Sequence, residues 1–155
     1  MRVTTTVAEP FSPEKAVVPL AAGGNLSRAQ DFFPVHALVV DDEPLIRWSV
    51  AESLVGLGFV VEQAPDAATA LKMVTTATLP YDVVVLDLRL PDMQDLSLLG
   101  TVRQLLPRAV LVLMTAFGTH TIEADARALG ATVLTKPFEL ADLNRIVLEH
   151  TSGQD

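Results

Sequence analysis

The run YDVVVLDLRLPDM at residues 81–93 constrains this chain more than any other stretch. Four apolar residues, Val83 to Leu86, pass without a polar break into Asp87. A run so short and so rich in Val reads as a strand buried on both faces, the mark of an interior strand in a parallel sheet. Such a sheet has helices packed on both sides, so the remainder of the chain is expected to alternate strand and helix. Asp87 sits at the carboxyl end of the strand. Alone it is an ordinary turn residue; in an open parallel sheet the same end is where ligands and chemistry collect.

The chain does alternate. ALVV at 37–40 is a short buried strand, followed at once by Asp41, Asp42, Glu43 and Pro44. A proline in the first turn with carboxylates ahead of it marks a helix start. Its core stripe is read as Leu45, Ile46, Val50, Leu54 and Leu57, with Trp48 pointing away from the sheet. Gly56 and Gly58 close that helix, residues 59–64 form the second strand, and Asp66 reads as the N-cap of a helix carrying Ala67, Ala70, Leu71 and Val74. Beyond the Asp87 strand, Leu96, Leu99, Val102 and Leu106 make a third helical stripe, closed by Pro107. A fourth strand over 109–114 ends in Thr115 and the loop AFGT. A helix over 119–129, a strand over 131–135, Lys136, Pro137 and a helix carrying Leu140, Leu143, Ile146 and Val147 complete the domain. Five strands alternating with five helices predict an α/β fold with a mainly parallel sheet and right-handed crossovers. Residues 1–35 hold four of the ten prolines and no sustained period, so they are expected to form a flexible arm before a domain at 36–150 and a short tail at 151–155.

Half of the 155 residues are apolar and 19% are charged, which suits one folded domain. The net charge of −8, without any Lys/Arg cluster, argues against nucleic acid as a partner. The absence of cysteine excludes a disulfide framework and a thiolate metal site, and His36, His120 and His150 lie too far apart for metal-ligand spacing. No apolar run approaches the ~18 residues that span a bilayer. Residues 15–24 have a faint signal-peptide flavour, but Pro19 interrupts them and Glu9 and Glu14 precede them. The expectation is a cytoplasmic protein with no membrane partner.

Polar residues recur at one kind of place: Asp41 and Asp42 after the first strand, Asp87 after the third, Thr115 after the fourth and Lys136 after the fifth. All converge on one edge of the sheet. Three carboxylates together need a cation, and hard oxygen ligands with room for water suit Mg²⁺. A hydroxyl and an ammonium opposite would take an anion's oxygens. The set reads as a metal-assisted phosphoryl site with one carboxylate as nucleophile.

VVDDEPLIR, VVLDLRLPDM, LMTAFGT and LTKPFEL, in that order, resemble the receiver domain of two-component response regulators, the NtrC-type receivers in particular, over about residues 36–150. The resemblance implies a flavodoxin-like, doubly wound, five-stranded parallel sheet in the order 2-1-3-4-5 with five helices. It implies that Asp87 is the phosphoacceptor, supplied by a histidine kinase or histidine phosphotransfer protein. Asp42 and Asp87 would then bind Mg²⁺ directly with the backbone carbonyl of Arg89, and Asp41 would act largely through water. Thr115 would hydrogen-bond one phosphoryl oxygen, Lys136 would pair with another, and Pro137 would follow a cis bond that aims the lysine. The only reactions implied are phosphoryl transfer to itself and autodephosphorylation. Because the chain stops soon after the fifth helix, the expected output is contact with a downstream protein; pairing with a second copy is left open.

Three departures from the family pattern stand out. Asp95 occupies a loop position where glycine is usual, in a backbone conformation that Asp tolerates better than most residues. The stretch 130–136 is one residue short. Val133 replaces an aromatic, which leaves Phe117 as the nearest large ring. Among rival readings, a haloacid-dehalogenase-type phosphatase needs a second Asp two residues after the nucleophile, where Arg89 stands. A phosphorylation-independent scaffold has no need of the complete set of acids and lysine. A nucleotide-binding fold lacks its glycine-rich loop after the first strand.

Overall fold

The computed structural model describes residues 34–116 and 118–152. The expected arm thus lies outside the described residues apart from Pro34 and Val35, as do Phe117 and residues 153–155 of the tail. In chain order the elements are β1 (His36–Val40), α1 (Pro44–Val55), β2 (Val60–Ala64), α2 (Ala67–Thr76), β3 (Val83–Asp87), α3 (Ser97–Leu105), β4 (Val110–Thr115), α4 (His120–Ala128), β5 (Ala131–Thr135) and α5 (Leu140–Ser152). The strands are all parallel, in the order β2-β1-β3-β4-β5. This is the doubly wound, flavodoxin-like arrangement expected above.

The two unbroken apolar runs became the two most enclosed strands: every residue of β3 and β4 is buried. Alternate side chains serve opposite layers, as the pleat requires. Leu38, Val84, Leu86, Leu111 and Leu113 pack with α2, α3 and α4. Val39, Val83, Val85, Val112 and Met114 pack with Val50 and Leu54 of α1 and Leu143 and Val147 of α5. Helix starts follow local chemistry. The Asp66 carboxylate accepts from Thr69 N–H at 2.7 Å at the head of α2, and the Thr119 hydroxyl accepts from Ile122 N–H at 3.1 Å at the head of α4.

Two expectations need correction. Leu45 was assigned to the core stripe of α1 but is 72% exposed. At about 100° per residue it lies roughly a quarter-turn from Ile46 and further from Val50, so it shares the outward face with Trp48. Asp95 is not in a left-handed conformation: among the described residues only Gly58 and Gly130 have positive φ. Its carboxylate instead accepts from Ser97 N–H at 2.9 Å, so the loop turns into α3 through a side-chain cap where glycine would turn it through the backbone.

Candidate functional site

The site is assembled at the carboxyl edge of the sheet. As β1 ends, Asp41 N–H donates to the Ala64 carbonyl at 3.1 Å, holding the β1–α1 loop against β2. The Asp41 side chain is fully buried, and its Oδ1 accepts from Glu43 N–H at 2.9 Å. Arg47, one turn into α1, donates through Nη1 to the Asp41 carbonyl at 2.7 Å and through Nε to Gln63 Oε1 at 3.2 Å. Asp87, the last residue of β3, is 6% exposed, and the backbone N–H of Arg89 hydrogen-bonds its carboxylate. Thr115 closes β4, is buried, and lies beside Thr135 across the β4–β5 ladder.

Lys136 is aimed by the backbone. Its N–H donates to the Thr115 carbonyl at 2.8 Å, and the Lys136–Pro137 peptide bond is cis. The ammonium lies 3.3 Å from Asp41 Oδ2 and 3.4 Å from Asp87 Oδ1, bridging the two buried carboxylates. Burial pushes the Asp87 carboxyl up from its ordinary value, Lys136 pulls it back, Asp41 pushes it further up, and the net direction is upward. For Lys136, burial disfavours the ammonium, but Asp87 and Asp41 together outweigh it, so its pKa rises and it stays charged.

One carboxylate oxygen each from Asp41, Asp42 and Asp87 can be chosen so that all three lie within 4.8 Å of one another. Asp42 is exposed, which leaves one side of the cluster open to water. A hard, all-oxygen donor set with an open, wet side fits Mg²⁺, which keeps part of its hydration shell. The structure thus brings Asp41, Asp42, Asp87 and Lys136 together and places Thr115 and the Arg89 backbone at the same edge.

Beside the cluster runs an open, mostly apolar groove of about 720 Å³, lined by Ile46, Ser49, Lys136, Pro137, Phe138 and Leu140 among others. Leu140, expected in the core, is 38% exposed because it lies on the first turn of α5, at the rim of this groove. Sequence reasoning missed the groove and the bracing by Arg47. The only local signal for the latter was an arginine one turn into a helix that starts with acids.

Residues 37–148 match the family described as the response regulator receiver domain. The chain belongs to that family. Among curated relatives, this receiver is 34% identical over 111 residues to "Regulatory protein AtoC" of Escherichia coli, covering 71% of this chain and 24% of that protein. It is 32% identical over 110 residues to "DNA-binding transcriptional regulator NtrC" of the same organism, covering 70% and 23%. The chain therefore spans about a quarter of the length of these relatives. Among solved structures, it superposes with a TM-score of 0.73 and 25% identity on a CheY-like receiver domain from Methanospirillum hungatei, covering 79% of this chain and 97% of that one. Receiver domains are signalling modules, which bind Mg²⁺ at an acidic pocket and interact with histidine kinases and phosphotransfer proteins.

Proposed function

We propose that residues 36–150 form a receiver that accepts a phosphoryl group on Asp87 from a histidine kinase or histidine phosphotransfer protein, in a Mg²⁺-dependent reaction. The observation that carries this reading is the Lys136 ammonium 3.3 Å and 3.4 Å from the buried Asp41 and Asp87 carboxylates, with Asp42 closing an acidic cluster on the open side. In the transfer, an Asp87 carboxylate oxygen attacks phosphorus as the phosphorus–nitrogen bond to the donor imidazole breaks. The nitrogen keeps the electron pair. Asp42, Asp87 and the Arg89 carbonyl would hold Mg²⁺, with Asp41 acting through water, and the ion would supply neutralising charge for the phosphoryl oxygens. Lys136 turns from the two carboxylates toward one phosphoryl oxygen, and the Thr115 hydroxyl donates to another. The backbones of Asp41 and Lys136 are braced beforehand by Arg47 and by the Thr115 carbonyl, so the rearrangement is confined to the Lys136 side chain.

The phosphodonor is read as docking on the outward face of α1. Leu45 and Trp48 are exposed there, and the apolar groove leads from that face to Lys136. An output through protein contact suits a chain with a net charge of −8 and no basic cluster.

Intact-mass analysis after incubation with acetyl phosphate tests the chemistry. One phosphoryl group is expected with Mg²⁺, none in EDTA and none on Asp87→Asn. Equal labelling in EDTA, or labelling of Asp87→Ala at the wild-type rate, overturns the assignment.

A further inference from the structure

The loop that leaves β3 is tied to a helix distant in sequence. Leu90 and Met93 exchange backbone hydrogen bonds, at 3.0 Å from Leu90 N–H and 3.3 Å from Met93 N–H, so Pro91 and Asp92 form the tip of a tight turn. From that tip the Asp92 carboxylate reaches the head of α2. Its Oδ1 accepts from Ala67 N–H and its Oδ2 from Ala68 N–H, both at 2.9 Å. The third amide of α2, that of Thr69, is satisfied by the Asp66 side chain at 2.7 Å, and Ala70 N–H makes the first i→i−4 bond of the helix, to the Asp66 carbonyl at 3.1 Å. The amides of Ala67, Ala68 and Thr69, which the helix leaves without an internal partner, are thus shared between its own cap and a residue about 25 positions along the chain.

This division matters for the site because of what lies between Asp87 and Asp92. Leu88 and Leu90 are buried in the layer beneath α2 and α3, so packing holds the inner side of the loop. Arg89, Pro91, Asp92 and Gln94 are exposed, so packing gives their side of the loop little hold. Asp92 supplies a hold there. The two amides also pull its carboxyl below the ordinary value, as expected for a carboxylate that works as an acceptor pair.

We infer that Asp92 is a positioning residue for the phosphorylation site: by gripping the head of α2 it holds the Arg89 backbone, whose N–H bonds Asp87 and whose carbonyl would serve as a metal ligand. The inference rests on the function proposed above for the metal-binding half only. Outer partners that orient a metal ligand typically carry roughly 10–100-fold in affinity. Asp92 acts at a distance of three residues on one ligand of several, so about a three- to tenfold loss is expected.

The test compares three full-length variants, Asp92→Ala, Asp92→Asn and Asp66→Ala, by Mg²⁺ titration and by hydrogen exchange of the Arg89, Leu90 and Met93 amides without metal. Asp66→Ala removes a cap from the same helix without touching the loop, so it controls for helix stability. Asp92→Ala is expected to raise the Mg²⁺ Kd about three- to tenfold and to speed exchange at the three amides. Asp92→Asn, which retains one acceptor oxygen, should fall between it and wild type. Asp66→Ala should lower Tm while leaving both readouts at wild-type values. Equal effects of Asp92→Ala and Asp66→Ala, or unchanged exchange and affinity in Asp92→Ala, overturn the inference. A wild-type chain that takes up neither Mg²⁺ nor a phosphoryl group overturns the proposed function, and the metal-free exchange data then still decide whether Asp92 tethers the loop.

Discussion

Replacing Lys136 with methionine separates two roles of one cation. Without metal, the ammonium bridges Asp41 Oδ2 at 3.3 Å and Asp87 Oδ1 at 3.4 Å, and its side chain is 16% exposed. At an effective dielectric constant of about 20, two carboxylate charges within 4.8 Å of each other repel by at least about 3.5 kcal/mol. Removing one partner from a buried ion pair costs about 3–5 kcal/mol, and the partial exposure of the lysine places this case near the lower end. Lys136→Met should therefore lose roughly 3 kcal/mol of metal-free stability, measured by urea unfolding in EDTA. The same substitution should strengthen Mg²⁺ binding, because the metal takes over the neutralisation and no longer meets a resident cation. Recovery of about half the loss at saturating Mg²⁺ corresponds to about tenfold tighter binding. The pH dependence has a definite sign. The folded pKa of Lys136 is raised above the ordinary 10.5, so its contribution is complete below 10.5 and is lost as pH rises through the folded value. The difference between wild type and variant should thus hold at neutral pH and narrow only in strong alkali. A metal-free variant as stable as wild type, or one that binds Mg²⁺ more weakly, would refute the reasoning.

Trp48 is 55% exposed, so Trp48→Ala should shift Tm by only a degree or two while lowering kcat/KM for phosphotransfer from the cognate donor about tenfold or more; an unchanged transfer rate with a marked drop in Tm would assign Trp48 to packing. Asp95→Gly should lower Tm and not raise it, since the Ser97 cap is lost and no left-handed backbone is relieved. Because the Asp95 carboxyl is held below its ordinary 3.8, mainly by its hydrogen bonds with Ser97, that stability is present above 3.8 and fades as pH falls through the folded value. The Tm gap between variant and wild type should close in acid. Beryllofluoride, standing in for the phosphoryl group, should shift the amide resonances of residues 115–121 strongly and those of 131–135 weakly. Val133 is already packed against the core and has no large ring to withdraw from solvent. Large, equal shifts across β5 would contradict this.

Much of the fold was legible because its evidence is local. Val83 to Leu86 and residues 110–114 are apolar runs that only a strand enclosed on both faces can use, and Asp66 and Thr119 cap helices within three residues of themselves. The candidate site residues could be read for a related reason: Asp41, Asp42, Asp87, Thr115 and Lys136 each end a strand or come within two residues of its end, and parallel strands bring their carboxyl ends to one edge whatever the loops do. Tertiary structure decided what depends on register and on the path of loops. Leu45 is an apolar residue in an apolar helix, and only the rotation of α1 against the sheet turned it outward beside Trp48. Asp95 was read through the backbone conformation its position commonly needs, whereas the folded loop uses its side chain as a cap. The grip of Asp92 on Ala67 and Ala68, and the bracing of Asp41 and Gln63 by Arg47, join segments between which no periodicity or spacing exists to read. A hydrogen bond has a reach of about 3 Å, so which distant donor meets which acceptor is set only when the packed layers fix where each loop ends.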